Sequence, residues 1–166
     1  MNVWRLITHH HLPEEALAWS RKNGRLAIGW SRVQDINRQG YASPKEITAA
    51  IEQCHPETRN AGAGGTNLWD FFFSMRVGDL VILSTGGKRT LVMEVTGDYE
   101  FKDKPEDSIG GYTHQRTARI LPVDPDRLWR LAGGQPSIGQ CIRWPLVKCL
   151  KPITLAEKIE LTGSTI

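Results

Sequence analysis

Residues 66–100, TNLWDFFFSMRVGDLVILSTGGKRTLVMEVTGDYE, decide the fold. Leu68, Phe71, Phe72 and Met75 fall at i, i+3, i+4 and i+7, the spacing that lines one face of a helix. Trp69 and Phe73 lie on the flank of that stripe. Val77-Gly78-Asp79 makes a tight corner, and Leu80-Val81-Ile82-Leu83 is an apolar run suited to a strand buried on both faces. Gly86-Gly87 provides the turn, because glycine takes positive φ without steric cost. Leu91, Met93 and Val95 then alternate with Val92, Glu94 and Thr96, a period of two. The segment predicts a helix laid against the core hairpin of a small, strongly curved sheet.

Upstream, Val3 to Thr8 reads as a first strand, and Pro13 to Lys22 as a helix stopped by Asn23-Gly24. RLAIGW, residues 25–30, is a second strand with Leu26, Ile28 and Trp30 on one face. A polar loop follows to Tyr41. Ser43-Pro44-Lys45-Glu46 starts a helix of the capping-box kind, with Ile47, Ala50, Ile51 and Cys54 as its buried stripe. His55 to Gly65 reads as a Gly-rich loop. Downstream, the chain is expected to leave the sheet edge at Gly97, and Tyr112 to Leu121 to form another strand. Asp124-Pro125 caps a short helix through Leu131, Gln140–Trp144 and Leu146–Leu150 are two last strands, and Thr154–Leu161 is a terminal helix or linker. The count is about six mostly antiparallel strands with flanking helices, an α+β class with a sheet closing towards a small barrel.

The 166 residues suit one domain able to bury a core without staples. Hydrophobic content of 40% and charged content of 23% are ordinary for a globular chain. No apolar run approaches the roughly 20 residues a membrane span needs, and the N-terminus lacks a signal-peptide layout. The expectation is a cytoplasmic protein with no membrane partner. Cys54, Cys141 and Cys149 are odd in number and lack CxxC spacing, which argues against a disulfide framework and a zinc site. A net charge of +3 mildly favours a polyanion partner. Arg5, Arg21, Lys22, Arg25, Arg32 and Arg38 make the first forty residues basic, which suits solvated surface charge and a phosphate-contacting face equally.

His9-His10-His11 cannot converge on one ion from consecutive strand positions, so a surface loop is the better reading. Ala61-Gly62-Ala63-Gly64-Gly65-Thr66 precedes a helix but lacks the Lys-Ser/Thr ending of a nucleotide loop. It is read as a flexible loop, or as a seat for a single nucleic-acid phosphate. No G-x-S-x-G, H-E-x-x-H or marked Cys–His pair is present, so no catalytic residue is assigned and no enzyme is expected. The aromatics are more informative. Trp4, Trp19 and Trp129 suit core packing, whereas Trp30 ends a strand before a polar loop. Trp69 lies on a helix flank, and Tyr99 and Phe101 sit where the chain is expected to leave the hairpin. Aromatic walls at a barrel mouth suit a planar guest such as a flipped base, or they simply plug the barrel end.

At these residues the chain resembles a known group. The order WRL, helix, GRLAIGW, loop, helix, MRVGDLVI, GGK-x-x-LVMEVTGDY, Y-x-H-x-R is similar to the EVE domains of the PUA-like superfamily, relatives of YTH and ASCH domains, over roughly Val3 to Leu121. The resemblance implies a pseudo-barrel that holds an extruded, modified base in an aromatic cage. In bacteria such modules often front modification-dependent restriction systems with the nuclease elsewhere. Carried over by position, Trp30 matches the cage tryptophan, Ser31 the place where backbone groups read the base edge, and Tyr99 and Phe101 the opposite wall. Trp69 is assigned from geometry alone. The loop after Trp30 and the stretch His55–Gly65 depart from the family's wording, which leaves the identity of the base open.

The expectation is a non-catalytic reader domain over residues 1–150, followed by a helix or linker over 151–166. It needs no cofactor or metal. Its partner is DNA carrying 5-methylcytosine, 5-hydroxymethylcytosine or N6-methyladenine, with a fused or partner nuclease. Arg32, Arg38, Arg59, Lys88, Arg89 and Arg116 are the candidate phosphate contacts. The alternatives are a module for modified RNA, and a small-ligand sensor or small enzyme using the same cavity.

Overall fold

The computed structural model describes residues 1–135 and 147–163, with Pro105 described by its backbone alone. The six strands are β1 (Val3–Ile7), β2 (Arg25–Ile28), β3 (Leu80–Thr85), β4 (Lys88–Phe101), β5 (His114–Leu121) and β6 (Val147–Cys149). They form one open sheet in the order β2-β5-β4-β3-β1-β6. β1 and β3 run parallel, and the other neighbours are antiparallel. The helices are α1 (Pro13–Asn23), α2 (Ile36–Gln39), α3 (Pro44–Cys54), α4 (Ala61–Trp69), α5 (Pro125–Leu131) and α6 (Leu155–Thr162), an α+β arrangement. None of the described helices is long and apolar enough to cross a membrane.

The hairpin behaves as its sequence dictates. Gly86 and Gly87 both take positive φ, 55° and 81°, which suits a two-residue turn matched to strand twist. Leu80, Val81, Ile82 and Leu83 are all fully buried because both faces of β3 are covered. Val81 and Leu83 join Trp4, Leu6, Met93 and Phe71 in one core. Leu80 and Ile82 join Val3, Val92 and Trp129 in a second core on the other face. Each such side chain contributes ~1.5–3 kcal/mol of hydrophobic stabilisation. Asp79 ties the corner together: its carboxylate accepts from the Asn2 amide at 2.8 Å, the Arg76 amide at 3.0 Å and the Trp4 indole at 2.9 Å. The strand at 146–150 forms as β6, and the one expected at 140–144 lies outside the described residues. α6 rests on the sheet, where Lys158 Nζ is 2.7 Å from the Glu94 carboxylate and Leu161 enters the second core.

Several local expectations are corrected. The chain does not leave the sheet at Gly97; β4 continues to Phe101, and Tyr99 and Phe101 pair with Arg116 and His114 of β5. The register shifts between Val95 and Tyr99, and a bulge there bends the strand without ending it. Gly97 allows the close approach, since a Cβ there would lie 2.2 Å from Thr117 Oγ1. The Gly-rich stretch is not a loop throughout: α4 starts at Ala61, capped by Asn60, whose side chain accepts from the Ala63 amide at 3.1 Å. Glycine is a poor helix former, but packing overrides propensity here. A Cβ on Gly65 would stand 2.1 Å from Thr48 Oγ1 and 2.6 Å from the Pro44 carbonyl, so only glycine lets α4 lie this close to α3. Gly65→Ala is expected to cost ~1–3 kcal/mol by overpacking. Urea unfolding checks this, and a midpoint equal to that of the wild type counts against the helix contact.

The polar loop after Trp30 is also more ordered than expected. It holds a single 3-10 turn at Ser31–Val33 and then α2, whose N-terminus Asp35 caps by accepting from the Asn37 amide at 3.0 Å. The helix of the opening segment runs on from α4 as a π-helical turn, Asp70–Ser74, in which the Met75 amide donates to the Asp70 carbonyl at 2.8 Å. Leu68, Phe71 and Met75 are buried as their spacing predicts, while Phe72 is half-buried because the wider turn rotates it off the stripe.

Candidate functional site

The site is built where β2 ends. Trp30 leaves the strand in a left-handed conformation, φ 65° and ψ 44°, so it is out of phase with Leu26 and Ile28. Its indole is half-buried against α4, where a Cβ on Gly64 would stand 3.0 Å from Cζ2. After the 3-10 turn, Gln34 takes φ 66° and ψ −171°. Non-glycine residues rarely adopt either conformation, and two lie four positions apart in this loop.

Buried hydrogen bonds hold both ends of this loop from below. The Ile36 amide donates to the Tyr99 hydroxyl oxygen at 3.2 Å, and that hydroxyl lies 2.8 Å from His114 Nδ1. His114 Nε2 lies 3.1 Å from the Trp30 carbonyl. A carbonyl only accepts, so Nε2 carries the proton, Nδ1 accepts, and Tyr99 donates to it. Burial lowers the His114 pKa to about 4, which keeps the ring neutral, and burial likewise pushes the Tyr99 phenol up.

Above this network lie two adjoining depressions that share Gln34, Phe101 and Asp103. The first, of about 500 Å³, is also lined by Ser31, Arg32, Ser108, Gly110, Gly111 and Thr113. The second, of about 370 Å³, adds Asp35, Arg38 and Gln39. Together they form a polar groove with one aromatic wall, Phe101. Thr113 Oγ1 lines it, buried and without a hydrogen-bond partner among the described residues.

Of the residues proposed from sequence, Ser31, Arg32, Arg38 and Phe101 line this groove. Trp30 adjoins it but is packed against α4. Tyr99, expected as an opposite wall, is buried beneath the groove as a strut. Trp69 stacks on Phe73 at 4.8 Å, five residues beyond Gly64 and about 140° round α4 from the Trp30 contact. Arg32 is held by Glu57 and His55, and Arg38 is exposed beside Asp35 at 3.5 Å. Arg59 is exposed just before α4. Lys88 and Arg89 stand at the far end of β4, roughly 40 Å of strand from Phe101. Arg89 is paired with Asp126 and lies over the Trp129 ring at 4.9 Å.

Arg116 is corrected outright. It is buried, and its guanidinium donates to the Phe71 and Phe72 carbonyls at 2.7 Å each and to the Gly97 carbonyl at 3.1 Å. A cation at a helix C-terminus satisfies orphan carbonyls there, which leaves it unavailable to a phosphate. The Gly-rich stretch serves helix packing. His9 is also structural: Nδ1 accepts from the His11 and Leu12 amides at 3.0 Å each, and the ring stacks on Tyr112 at 4.2 Å. Sequence reasoning missed Gln34, Asp103, Thr113 and the role of His114. His114 is fully buried in β5, but nothing in the sequence marked the loop it supports.

Fold and groove define an α+β domain with a polar surface groove at one end of a bent sheet. The model of a family described as a domain of unknown function (DUF8426) matches residues 4–125, and the chain belongs to that family. The match includes every groove residue named above. No curated protein matches the chain.

Proposed function

We infer that this domain is a non-catalytic reader that takes a flipped, modified base from DNA into the groove. The base is 5-methylcytosine, 5-hydroxymethylcytosine or N6-methyladenine, and the domain guides a nuclease carried on another part of the chain or on a partner. The observation that carries this reading is the meeting of Ser31, Arg32, Arg38 and Phe101 on one groove. Phe101 stacks on the base, an interaction of ~1–3 kcal/mol. Arg32 and Arg38 on the rim hold flanking phosphates, which position the duplex without reading its sequence. In this reading the sheet is a pseudo-barrel of the PUA-like kind. The parallel β1–β3 pair, α1 between the first two strands and the bend in β4 support that arrangement.

The test is a binding comparison of matched duplexes with and without each modified base. Phe101→Ala should lower affinity for the preferred duplex about 5- to 100-fold, the equivalent of ~1–3 kcal/mol, measured well below a melting temperature that itself falls because the ring packs on the core beside His114. Trp30→Ala is a weaker test, because the indole also packs on α4 and its loss lowers stability. Equal affinity of wild type and Phe101→Ala for every duplex would sink the reading. A modified RNA of the same sequence that competes better than the DNA would move the protein to the RNA-binding class.

A further inference from the structure

We propose that Gln34 is the specificity-determining residue of the groove, with Tyr99 and His114 as the positioning residues that hold it there. The proposal rests on the base-reader reading and names the side chain that reads the base edge. Gln34 has φ 66° and ψ −171°, a backbone region that glycine occupies almost alone. Such strain persists only where the surroundings impose it, and it clusters at functional sites. Here the surroundings are identifiable. The Trp30 carbonyl is held by His114, and the Ile36 amide by Tyr99. Between them the Val33 amide donates to the Trp30 carbonyl at 3.0 Å, and the Gln34 amide to the Ser31 carbonyl at 3.1 Å. A loop tied at both ends and across its turn cannot relax, so the strain stays at Gln34.

The side chain has no structural task to account for this. It is exposed, makes no hydrogen bond or ion pair with any described residue, and lines both depressions, beside Phe101. A glycine would take the same backbone without strain, so what the strained residue adds is its carboxamide. That group presents a donor and an acceptor side by side. It matches a planar heterocycle that offers an acceptor and a donor on adjacent atoms, as the pairing edge of an extruded base does. Phe101 then covers the face of the ring while Gln34 reads its edge.

The experiment titrates duplexes carrying 5-methylcytosine, 5-hydroxymethylcytosine or N6-methyladenine, and the unmodified duplex, with wild type, Phe101→Ala, Gln34→Gly, Gln34→Ala and Tyr99→Phe. Both Gln34 variants should lose about tenfold or more in affinity for the duplex the wild type prefers. Gln34→Gly should melt no lower than wild type, since glycine accepts this backbone. Tyr99→Phe should weaken the same binding and expose the Ile36 amide to hydrogen exchange. If Phe101→Ala loses binding while both Gln34 variants bind as wild type does, the Gln34 proposal is overturned and the reader reading stands. If the wild type prefers no modified duplex, the reader reading fails and takes this proposal with it. A Gln34→Gly protein that melts well below wild type overturns the assignment of strain.

Discussion

Arg116→Met is expected to lower stability by about 3–5 kcal/mol, the largest effect of any single change considered. The guanidinium donates to three main-chain carbonyls, those of Phe71, Phe72 and Gly97. Two belong to the π-helical turn that ends α4, and the third lies at the bulge in β4. Each buried acceptor left without a donor costs ~1–3 kcal/mol, and release of the buried guanidinium offsets only part of the sum. Arg116→Lys should fall between, because an ammonium is a compact point and cannot span carbonyls the planar fork reaches together. Urea unfolding of the three proteins measures this. A loss below about 1 kcal/mol for Arg116→Met would mean that water satisfies these carbonyls.

Acid should weaken the fold through His114. Its ordinary value is 6.5, and burial lowers it to about 4 in the folded chain. The unfolded chain therefore binds a proton at a pH where the folded chain does not. Stability is full above pH 6.5, falls as the pH drops from there towards about 4, and levels off below. The total loss from this one group is ~3 kcal/mol. In the folded chain Nδ1 takes a proton only near pH 4 and below, so the acceptor for the Tyr99 hydroxyl is lost, and the loop over residues 30–36 loosens, only there. Burial shifts His9 and His10 in the same direction, so the wild-type curve alone does not isolate His114. The difference between wild type and His114→Gln does: the variant's stability should vary less with pH between 6.5 and 4. Parallel curves for the two proteins over that range would rule out His114 as the acid-sensitive group.

Both effects come from side chains whose chemistry is plain in the sequence and whose surroundings are not. Arg116 is a charged residue in an expected strand, and from sequence it reads as a phosphate contact until the carbonyls of Phe71 and Phe72 appear beside it. His114 lies two residues before it in the same strand, and its partners are Tyr99 in β4 and Trp30 just past β2.

What the sequence determined by itself is what depends on neighbours within a turn or two. The apolar run of β3, the alternation in β4, the Gly86-Gly87 turn, the Ser43 start of α3 and the stripe of Leu68, Phe71 and Met75 were all legible, because side-chain period and turn chemistry are local. Ser31 and Phe101, named from the family resemblance, and Arg32 and Arg38, named as candidate phosphate contacts, come together on one groove only in the folded chain. Tertiary structure decided the rest. It made a helix of the Gly-rich stretch, because α3 comes too close to Gly65 for any side chain. It carried β4 on to Phe101, because β5 pairs with it beyond the bulge. It set Gln34 over the groove, because hydrogen bonds from β4 and β5 hold the loop where its own backbone preferences would not.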